Sequence, residues 1–140
     1  MEANGTVNVN APGAYLLSYD GNDASGNAAE QVTRMVTVVD STKPVITLNG
    51  DANVTHEAAT AYLDGGATWT DTLDGNGALV AAGTVDVNVP GVYVLTYDFT
   101  DDAGNAAVSV TRIVSVADTT RPVISLAGDA NVTHEAATVY

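Results

Sequence analysis

The sequence predicts an all-β protein built from tandem β-sandwich repeats of 78 residues. The first supporting observation is an alternation of apolar and polar residues with a period of two, which is typical of half-buried strands. The second is internal similarity, because residues 1–62 and 79–140, aligned at an offset of 78 positions, are identical at 40 of 62 places. The third is the spacing of Gly, Asn and Asp turn signals between the short apolar runs. These patterns favour strands throughout the chain.

The 78-residue offset divides the chain into three parts. Residues 40–117 form one complete repeat, residues 1–39 the C-terminal part of the repeat before it, and residues 118–140 the N-terminal part of the next. The longest shared run, GDANVTHEAAT, occurs at 50–60 and again at 128–138. Neither partial repeat contains an equivalent of residues 63 to about 80. We therefore expect each part to carry strands whose apolar face its own residues leave uncovered.

The complete repeat is expected to form a sandwich of about seven strands. Tyr93 follows a Pro-Gly turn, where such sandwiches place a tyrosine corner, and Tyr15 is its copy. Trp69 is interpreted as a large core residue, with sugar stacking as the alternative. Arg112 falls at an inward position of the last strand, which predicts a bulge or a snorkelling stem. The segments that read as strands are PVITLNG, ANVTHEA, ATWTD, GTVDVNV, VYVLTYDF and VSVTRIVSV.

Two motifs identify the repeat with a known kind of module. A Pro-Gly-x-Tyr turn is followed by Asp-x-x-Asp-x-Ala-Gly-Asn, as in PGVYVLTYDFTDDAGNAA. With TTRPVISLAGDANVTHEA and the DTLDG loop, this order resembles the bacterial immunoglobulin-like repeat of pesticidal crystal proteins and large surface proteins, and it is similar to hyalin-type repeats. The resemblance covers the whole chain. It implies an extracellular or cell-surface spacer or adhesion module, strung in series, and no single biochemical activity.

Charge and composition exclude several classes of function. Seventeen acidic residues against four basic ones give a net charge of −13, so we expect no binding to nucleic acid or to anionic lipid surfaces. No stretch of about 18 apolar residues occurs, so we expect no membrane insertion. The chain has no cysteine, which removes disulfides, thiolate metal sites and cysteine nucleophiles from consideration.

The sequence contains no catalytic motif, and we expect no enzyme. The only histidines are His56 and His134, each in NVTHEAAT. Thr60 stands where a His-Glu-x-x-His zinc motif requires its second histidine. His56 is therefore predicted to be a surface or cross-strand residue. No serine lies in a Gly-x-Ser-x-Gly turn, and no phosphate-binding loop is present.

Carboxylates are the one set of residues that could form a site. Loops at one pole of an immunoglobulin-type sandwich should bring several of them together, and calcium prefers six to eight oxygen ligands. The alternative is that Asp and Asn serve only the turns themselves. Asp64, which lies beside the strand of Trp69, is expected to belong to this set of carboxylates. The predicted calcium ligands are Asp71, Asp74, Asp98, Asp101 and Asp102, with Asp40 contributing from the linker.

The function predicted from these observations is a structural repeat of an extracellular stalk, adhesin or fibre. Its expected partners are neighbouring repeats or copies of itself. Two alternatives stay open: a filament subunit joined head-to-tail by strand complementation, and a carbohydrate-binding accessory module of a secreted enzyme. A surface glycan or protein ligand of unknown identity also stays open as a partner. Asn-x-Thr sequons occur at Asn4, Asn53 and Asn131, and chance occurrence is favoured over glycosylation.

Overall fold

Strands form the regular structure of the described residues, as the period-two alternation predicts. The computed structural model describes residues 3–137 and 139. Its first antiparallel sheet has the order β1-β2-β3. The register places Tyr15 opposite Val36 and Leu17 opposite Arg34. The strands of this sheet are β1 (Ala3–Asn4), β2 (Gly13–Tyr19) and β3 (Val32–Val38).

The two remaining sheets form the sandwich of the complete repeat. One sheet is antiparallel, with the order β4-β6-β7, and the other has the order β5-β9-β8, in which β5 runs parallel to β9. No helix in the described part of the chain is long and apolar enough to cross a membrane. The strands are β4 (Val45–Leu48), β5 (Asn53–Glu57), β6 (Ala67–Asp71), β7 (Gly75–Leu79), β8 (Gly91–Tyr97) and β9 (Val110–Ala117).

The strand set of this repeat differs from the prediction in two places. Residues 83–89, GTVDVNV, form no strand, because Asp86 closes a turn there by accepting the backbone N–H of Asn88 at 3.0 Å. The sequence DGNG at 74–77 is a turn signal, yet Gly75–Leu79 forms β7. Gly77 permits this pairing, since a Cβ at that position would lie 2.7 Å from Trp69 Nε1. The sandwich has six strands, where about seven were expected.

The core lies between the two sheets of the sandwich. Trp69 is half-buried against this core and stacks on Phe99, with ring centroids 3.9 Å apart and an interplanar angle of 16°. The two aromatic rings thus cover part of one another, as expected for Trp69 acting in packing. The buried apolar residues are Ile46, Ala67, Leu95, Tyr97, Val114 and Val116.

Tyrosine corners occur where the sequence predicts them. The hydroxyl of Tyr93 donates to the carbonyl of Val89 at 2.7 Å, and that of Tyr15 donates to the carbonyl of Ala11 at 2.7 Å. Each bond joins the start of a strand to the turn four residues upstream. The corner therefore fixes the direction in which the chain enters β8 and β2.

The first sheet repeats part of the sandwich. Strands β2 and β3 begin 78 positions before β8 and β9, and the isolated bridge Asn22↔Ala28 likewise precedes Thr100↔Ala106. Residues 118–137, expected to contain the first strands of another repeat, form no strand, and Val123 and Ile124 are each 92% exposed. The physical reason is that β4 and β5 each need a neighbouring strand, and residues 118–137 pair with none within the chain.

Candidate metal centre

Three carboxylates from separate elements meet at one pole of the sandwich. Asp40 lies in the linker between β3 and β4, Asp74 in the turn between β6 and β7, and Asp101 in the loop between β8 and β9. One oxygen from each lies within 4.8 Å of the other two. Oxygens bound to the same calcium ion lie within about 5 Å of one another. The spacing is therefore compatible with a shared cation.

Local hydrogen bonds hold the two loops in place. Asp71 Oδ1 accepts the backbone N–H groups of Leu73 at 2.8 Å and Asp74 at 3.1 Å, which closes the turn between β6 and β7. Asp74 Oδ2 then accepts the backbone N–H of Asp102 at 3.1 Å. This last bond ties the two loops together.

Asp101 is the most buried member of the group, with 6% of its surface exposed. Its carboxylate accepts the backbone N–H of Asn105 at 2.6 Å and the side-chain amide of Asn105 at 2.8 Å. Burial raises the pKa of Asp101, but the hydrogen bonds from Asn105 outweigh it, so the pKa lies below its usual value. Asp101 is therefore charged at neutral pH. The same amide of Asn105 reaches the carbonyl of Asp40 at 3.4 Å, which joins the linker to the loop.

Two carboxylate oxygens at this pole have unmet hydrogen-bonding capacity. Asp40 Oδ2 and Asp71 Oδ2 are buried and have no hydrogen-bond partner within residues 3–137 and 139. An unpaired buried polar atom costs about 1–3 kcal/mol, and more when it carries charge. A bound cation would satisfy such an oxygen directly. The donor set and these unpaired oxygens fit calcium, which binds carboxylate and carbonyl oxygens.

The six predicted ligands do not all converge. Asp40, Asp74 and Asp101 lie together, whereas the three-carboxylate group does not include Asp71, Asp98 or Asp102. Asp71 supports the turn, as described above. Asp98 is exposed and accepts a hydrogen bond from Ser109 Oγ. Asp102 is also exposed, and it contributes its backbone N–H to Asp74.

The loop that carries Asp101 has a counterpart in the first sheet. In the first sheet, Asp23 accepts the backbone N–H of Asn27 at 2.9 Å and the amide of Asn27 at 2.8 Å. This pair lies 78 positions before Asp101 and Asn105. The same Asp–Asn pair therefore closes this loop in both repeats.

A cavity of about 470 Å³ opens beside the cluster, between the first sheet and the sandwich. Asp40 and Asp74 line it together with the turn before β2. The cluster therefore lies at the joint between consecutive parts of the chain. The lining residues are Asn10, Ala11, Pro12, Asp40, Leu73, Asp74, Asp102 and Ala103.

Sequence reasoning missed a second ionic arrangement, inside the sandwich. Arg112 is 2% exposed and forms an ion pair with Asp64, and its Nη1 also donates to the hydroxyl of Tyr97 at 3.0 Å. Nε and Nη2 donate to the carbonyls of Asp51 and Asn49 at 2.9 and 2.7 Å. The expected bulge or snorkelling stem is wrong, because β9 pairs continuously with β8 and the guanidinium stays inside.

The placement of Asp64 with the calcium ligands is also wrong. Its carboxylate accepts from Arg112, from the hydroxyl of Tyr97 at 2.5 Å and from the backbone N–H of Gly66 at 2.9 Å. Burial raises the pKa of Asp64, but these bonds outweigh it and hold the pKa below its usual value. The alternation of β9 places Arg112 at an inward-facing position. This was the signal for a buried partner, since a buried charge is normally paired.

The histidine of the complete repeat serves the structure. His56 Nε2 lies 3.1 Å from both the carbonyl oxygen and the hydroxyl of Thr60, and its ring meets Tyr62 edge-on at 5.1 Å. Thr60 in turn donates to the carbonyl of Glu57 at 2.7 Å. His56 therefore secures the turn after β5. The side chain is half-buried, so it is less exposed than the sequence suggests.

Comparison with known families agrees with this architecture. Residues 1–38 and 46–116 match the model of the bacterial surface protein Ig-like domain family, which is most of the chain. The protein belongs to this family of immunoglobulin-like domains of bacterial surface proteins. It is accordingly a structural surface module with an all-β fold, as the resemblance of its repeats implies.

Individual relatives add little to the family assignment. The chain is similar to the solved structure of the lipoprotein BT2262 from Bacteroides thetaiotaomicron, with a TM-score of 0.47 and 28% identity. The similarity covers 56% of this chain and 40% of that one, so this chain spans well under half of the lipoprotein. No curated protein matches.

Proposed function

We propose that the protein is a non-enzymatic spacer of an extracellular bacterial stalk or adhesin, and that calcium binds at the joint between consecutive repeats. The observation that carries this proposal is the meeting of Asp40, Asp74 and Asp101 at that joint. Asp40 belongs to the linker, whereas the other two belong to the sandwich that follows. A cation shared by all three would fix the linker to the sandwich and make the joint stiffer.

The electrostatics of the cluster support a cation. Three carboxylates within 4.8 Å repel one another unless they are protonated or neutralised. Asp101 resists protonation, because its hydrogen bonds to Asn105 lower its pKa. In a chain with net charge −13, distant basic residues offer little neutralisation. A divalent ion at the cluster would relieve the repulsion and supply the unpaired oxygen of Asp40 with a partner.

The exit from the sandwich is also held by hydrogen bonds. The carboxylate of Glu57 accepts the backbone N–H of Thr119 at 3.1 Å and the hydroxyl of Thr120 at 2.8 Å. Hydrogen bonds from Thr119 and Thr120 lower the pKa of Glu57. Asp118 closes the same linker turn as Asp40, because Thr120 and Thr42 each donate a backbone N–H to the aspartate two residues earlier. Both linkers are therefore ordered at their first residues, as a spacer requires.

A carbohydrate-binding role has weaker support. Trp69 and Phe99, two of the aromatic residues outside the repeated tyrosines, stack on each other. Tyr62 donates to Asp64 at 3.2 Å and belongs to the surroundings of the buried ion pair. Stacking with a sugar needs an open ring face, and Trp69 and Phe99 each cover one face of the other ring.

Calorimetric titration of the 140-residue chain with calcium tests the metal site. We expect binding by the wild type and by Asp102→Asn, and loss of binding in Asp74→Asn, which keeps the side-chain shape. Asp102 is the matched control, because it neighbours Asp101 but its carboxylate is outside the cluster. Thermal melts should show a higher melting temperature with calcium than with chelator. Equal melts and no heat of binding would refute the calcium site.

The spacer role requires a separate measurement of stiffness. The chain lacks cysteine, so spin labels can be placed at cysteines introduced for Ala14 in β2 and Ala78 in β7, both exposed. The distance distribution between the labels should narrow when calcium is added to the wild type and stay broad in Asp74→Asn. A broad distribution in calcium-saturated wild type would contradict stiffening of the joint.

A further inference from the structure

The chain enters and leaves the sandwich at opposite poles. Asp40, the first residue of the complete repeat, meets Asp101 in the loop between β8 and β9. That loop joins the paired residues Tyr97 and Val110, so it lies where β9 begins. The repeat ends at Ala117, the last residue of β9, which is about 25 Å further along this strand of 8 residues. A pull on the two linkers therefore acts along the strands.

Strand β5, on the entry side of the repeat, pairs with the exit strand β9. The two strands run parallel over the whole of β5, Asn53–Glu57. Backbone hydrogen bonds bracket this pairing at both ends: Ile113 N–H donates to the carbonyl of Ala52 at 2.8 Å, and Ala58 N–H donates to the carbonyl of Ala117 at 2.9 Å. The bonds of a parallel pair are evenly spaced along the strands. A pull along the strands therefore loads all these bonds together, whereas peeling strands apart breaks them one at a time.

Arg112 joins β9 to the corner through which a pull on the entry linker reaches β5. This corner consists of residues 49–52, which connect β4 to β5. Nη2 and Nε of Arg112 donate to the carbonyls of Asn49 and Asp51 in the corner, at 2.7 and 2.9 Å. The same guanidinium forms the ion pair with Asp64, in the loop before β6. Arg112 is thus a non-covalent crosslink between the exit strand and the entry side of the sandwich.

Burial makes this crosslink costly to break. The side chain of Arg112 is 2% exposed, so water cannot take the place of a lost partner while the sandwich is closed. A buried charge without its partners is strongly unfavourable. The carbonyls that accept from Arg112 belong to the backbone, which is the part of the chain that carries tension. Separating β9 from the corner therefore requires that the bonds of the guanidinium break early, before water can replace them.

We propose that Arg112 bears mechanical load: it holds β9 to the β4–β5 corner, so that the repeat resists unfolding when the protein is stretched along its chain. This inference rests on the proposed spacer role, because a module in series with others carries tension along its chain. Resistance to stretching is governed by the rate of unfolding and not by the free energy of unfolding. The function is therefore distinct from the contribution of Arg112 to equilibrium stability.

The hairpin β6–β7 provides a region for comparison, because it lies outside the path of the load. Neither of its strands is joined directly to a linker, and β7 is at the edge of its sheet, bonded to β6. Contacts that are still intact when the barrier is crossed do not change the unfolding rate. Gly77 lies against Trp69 in this hairpin. Gly77→Ala should therefore reduce the free energy of unfolding and leave the resistance to stretching unchanged.

Stretching single 140-residue chains in optical tweezers, in calcium-free buffer, tests the proposal. Handles at cysteines introduced for Ser41 and Arg121, both exposed linker residues, pull along the strands. At the same force, Arg112→Met should unfold at least about tenfold faster than the wild type, because its bonds to a charged group contribute to the barrier. Gly77→Ala is the matched control and should unfold at the rate of the wild type.

A second pulling direction tests the proposal on the wild type, without relying on the folding of Arg112→Met. Val92 is 70% exposed and lies opposite Ser115, near the end of β9. Handles at cysteines introduced for Val92 and Arg121 therefore lie at the same pole and peel β9 from β8. We expect the wild type to unfold at a lower force in this direction than with handles at Ser41 and Arg121.

Two results would overturn the proposal. One is an unfolding force for the wild type that is the same in both directions. The other is an Arg112→Met variant that unfolds under force no faster than Gly77→Ala. Calcium is omitted, and the stiffness of the joint is measured separately with spin labels. Failure of this proposal can therefore be distinguished from failure of the metal site or of the spacer role.

Discussion

The hydroxyl of Tyr97 donates to Asp64 Oδ2 at 2.5 Å across the interior of the sandwich. Tyr97 is fully buried on β8, and Asp64 lies 33 residues earlier in the loop before β6. Arg112 contacts both groups, so the three side chains form one network that joins the two sheets. Burial of a charge is tolerated only when its partners are present. Several predictions of stability depend on this network.

Replacing Arg112 by Met should destabilise the sandwich by about 3 kcal/mol, because Asp64 loses its cation and Tyr97 and two carbonyls lose a donor. Arg34→Met is the matched control, since Arg34 is the exposed counterpart and should change stability by less than about 0.5 kcal/mol in dilute solution. Urea unfolding measures both. Equal destabilisation by the two substitutions would contradict a role specific to the buried pair.

Acid should weaken the sandwich through Asp64. Burial raises the pKa of Asp64, but the hydrogen bonds from Tyr97 and Arg112 lower it more. The pKa in the folded state therefore lies below the usual 3.8. The stabilisation is therefore complete above the unfolded pKa and is lost as the pH falls through the lower folded pKa. Asp64→Asn should be less stable than the wild type at neutral pH. Its stability should also fall less than that of the wild type when the pH is lowered below about 4. Parallel stability–pH curves for wild type and variant would disprove this linkage.

Alkali should act through Tyr97. Burial, with the hydrogen bond to Asp64, raises the pKa of Tyr97 from 10.0 to about 12. The folded state thus keeps its proton longer than the unfolded state, and stability falls as the pH rises from the unfolded value through the folded one. Ultraviolet titration of phenolate should show a late-ionising tyrosine that is missing in Tyr97→Phe. The exposed-sheet counterpart, Tyr19→Phe, should leave that late titration in place.

The contact between Trp69 and Gly77 should govern the packing of the β6–β7 hairpin. A Cβ at Gly77 would lie 2.7 Å from Trp69 Nε1, so Gly77→Ala should displace the indole and cost about 1–3 kcal/mol. Gly91→Ala is the control, because its Cβ would meet Tyr93 at an ordinary 3.8 Å. Trp69 is the only tryptophan, so its fluorescence reports the displacement. An unshifted emission spectrum in Gly77→Ala would contradict the contact.

The sequence by itself determined the features that depend on neighbouring residues. Period-two alternation placed β8 and β9, because strand side chains alternate between two faces whatever the fold. The tyrosine corners at Tyr15 and Tyr93 were also predictable, since each bond reaches only four residues upstream. The 78-residue period was visible directly as repeated residues, and the recurrence of strands at that offset is its structural counterpart.

Only the tertiary structure decided which distant polar groups meet. Arg112 and Asp64 are 48 residues apart, and nothing in their local sequence distinguishes Asp64 from the aspartates of the pole. Of the six candidate ligands, Asp40, Asp74 and Asp101 lie together. The direction of each side chain in its loop decides this, since Asp101 belongs to the cluster and its neighbour Asp102 does not. Strand β7 likewise depends on Trp69 lying over Gly77. Contacts between polar groups on opposite sides of the sandwich depend on how the two sheets pack, so a local sequence pattern does not predict them.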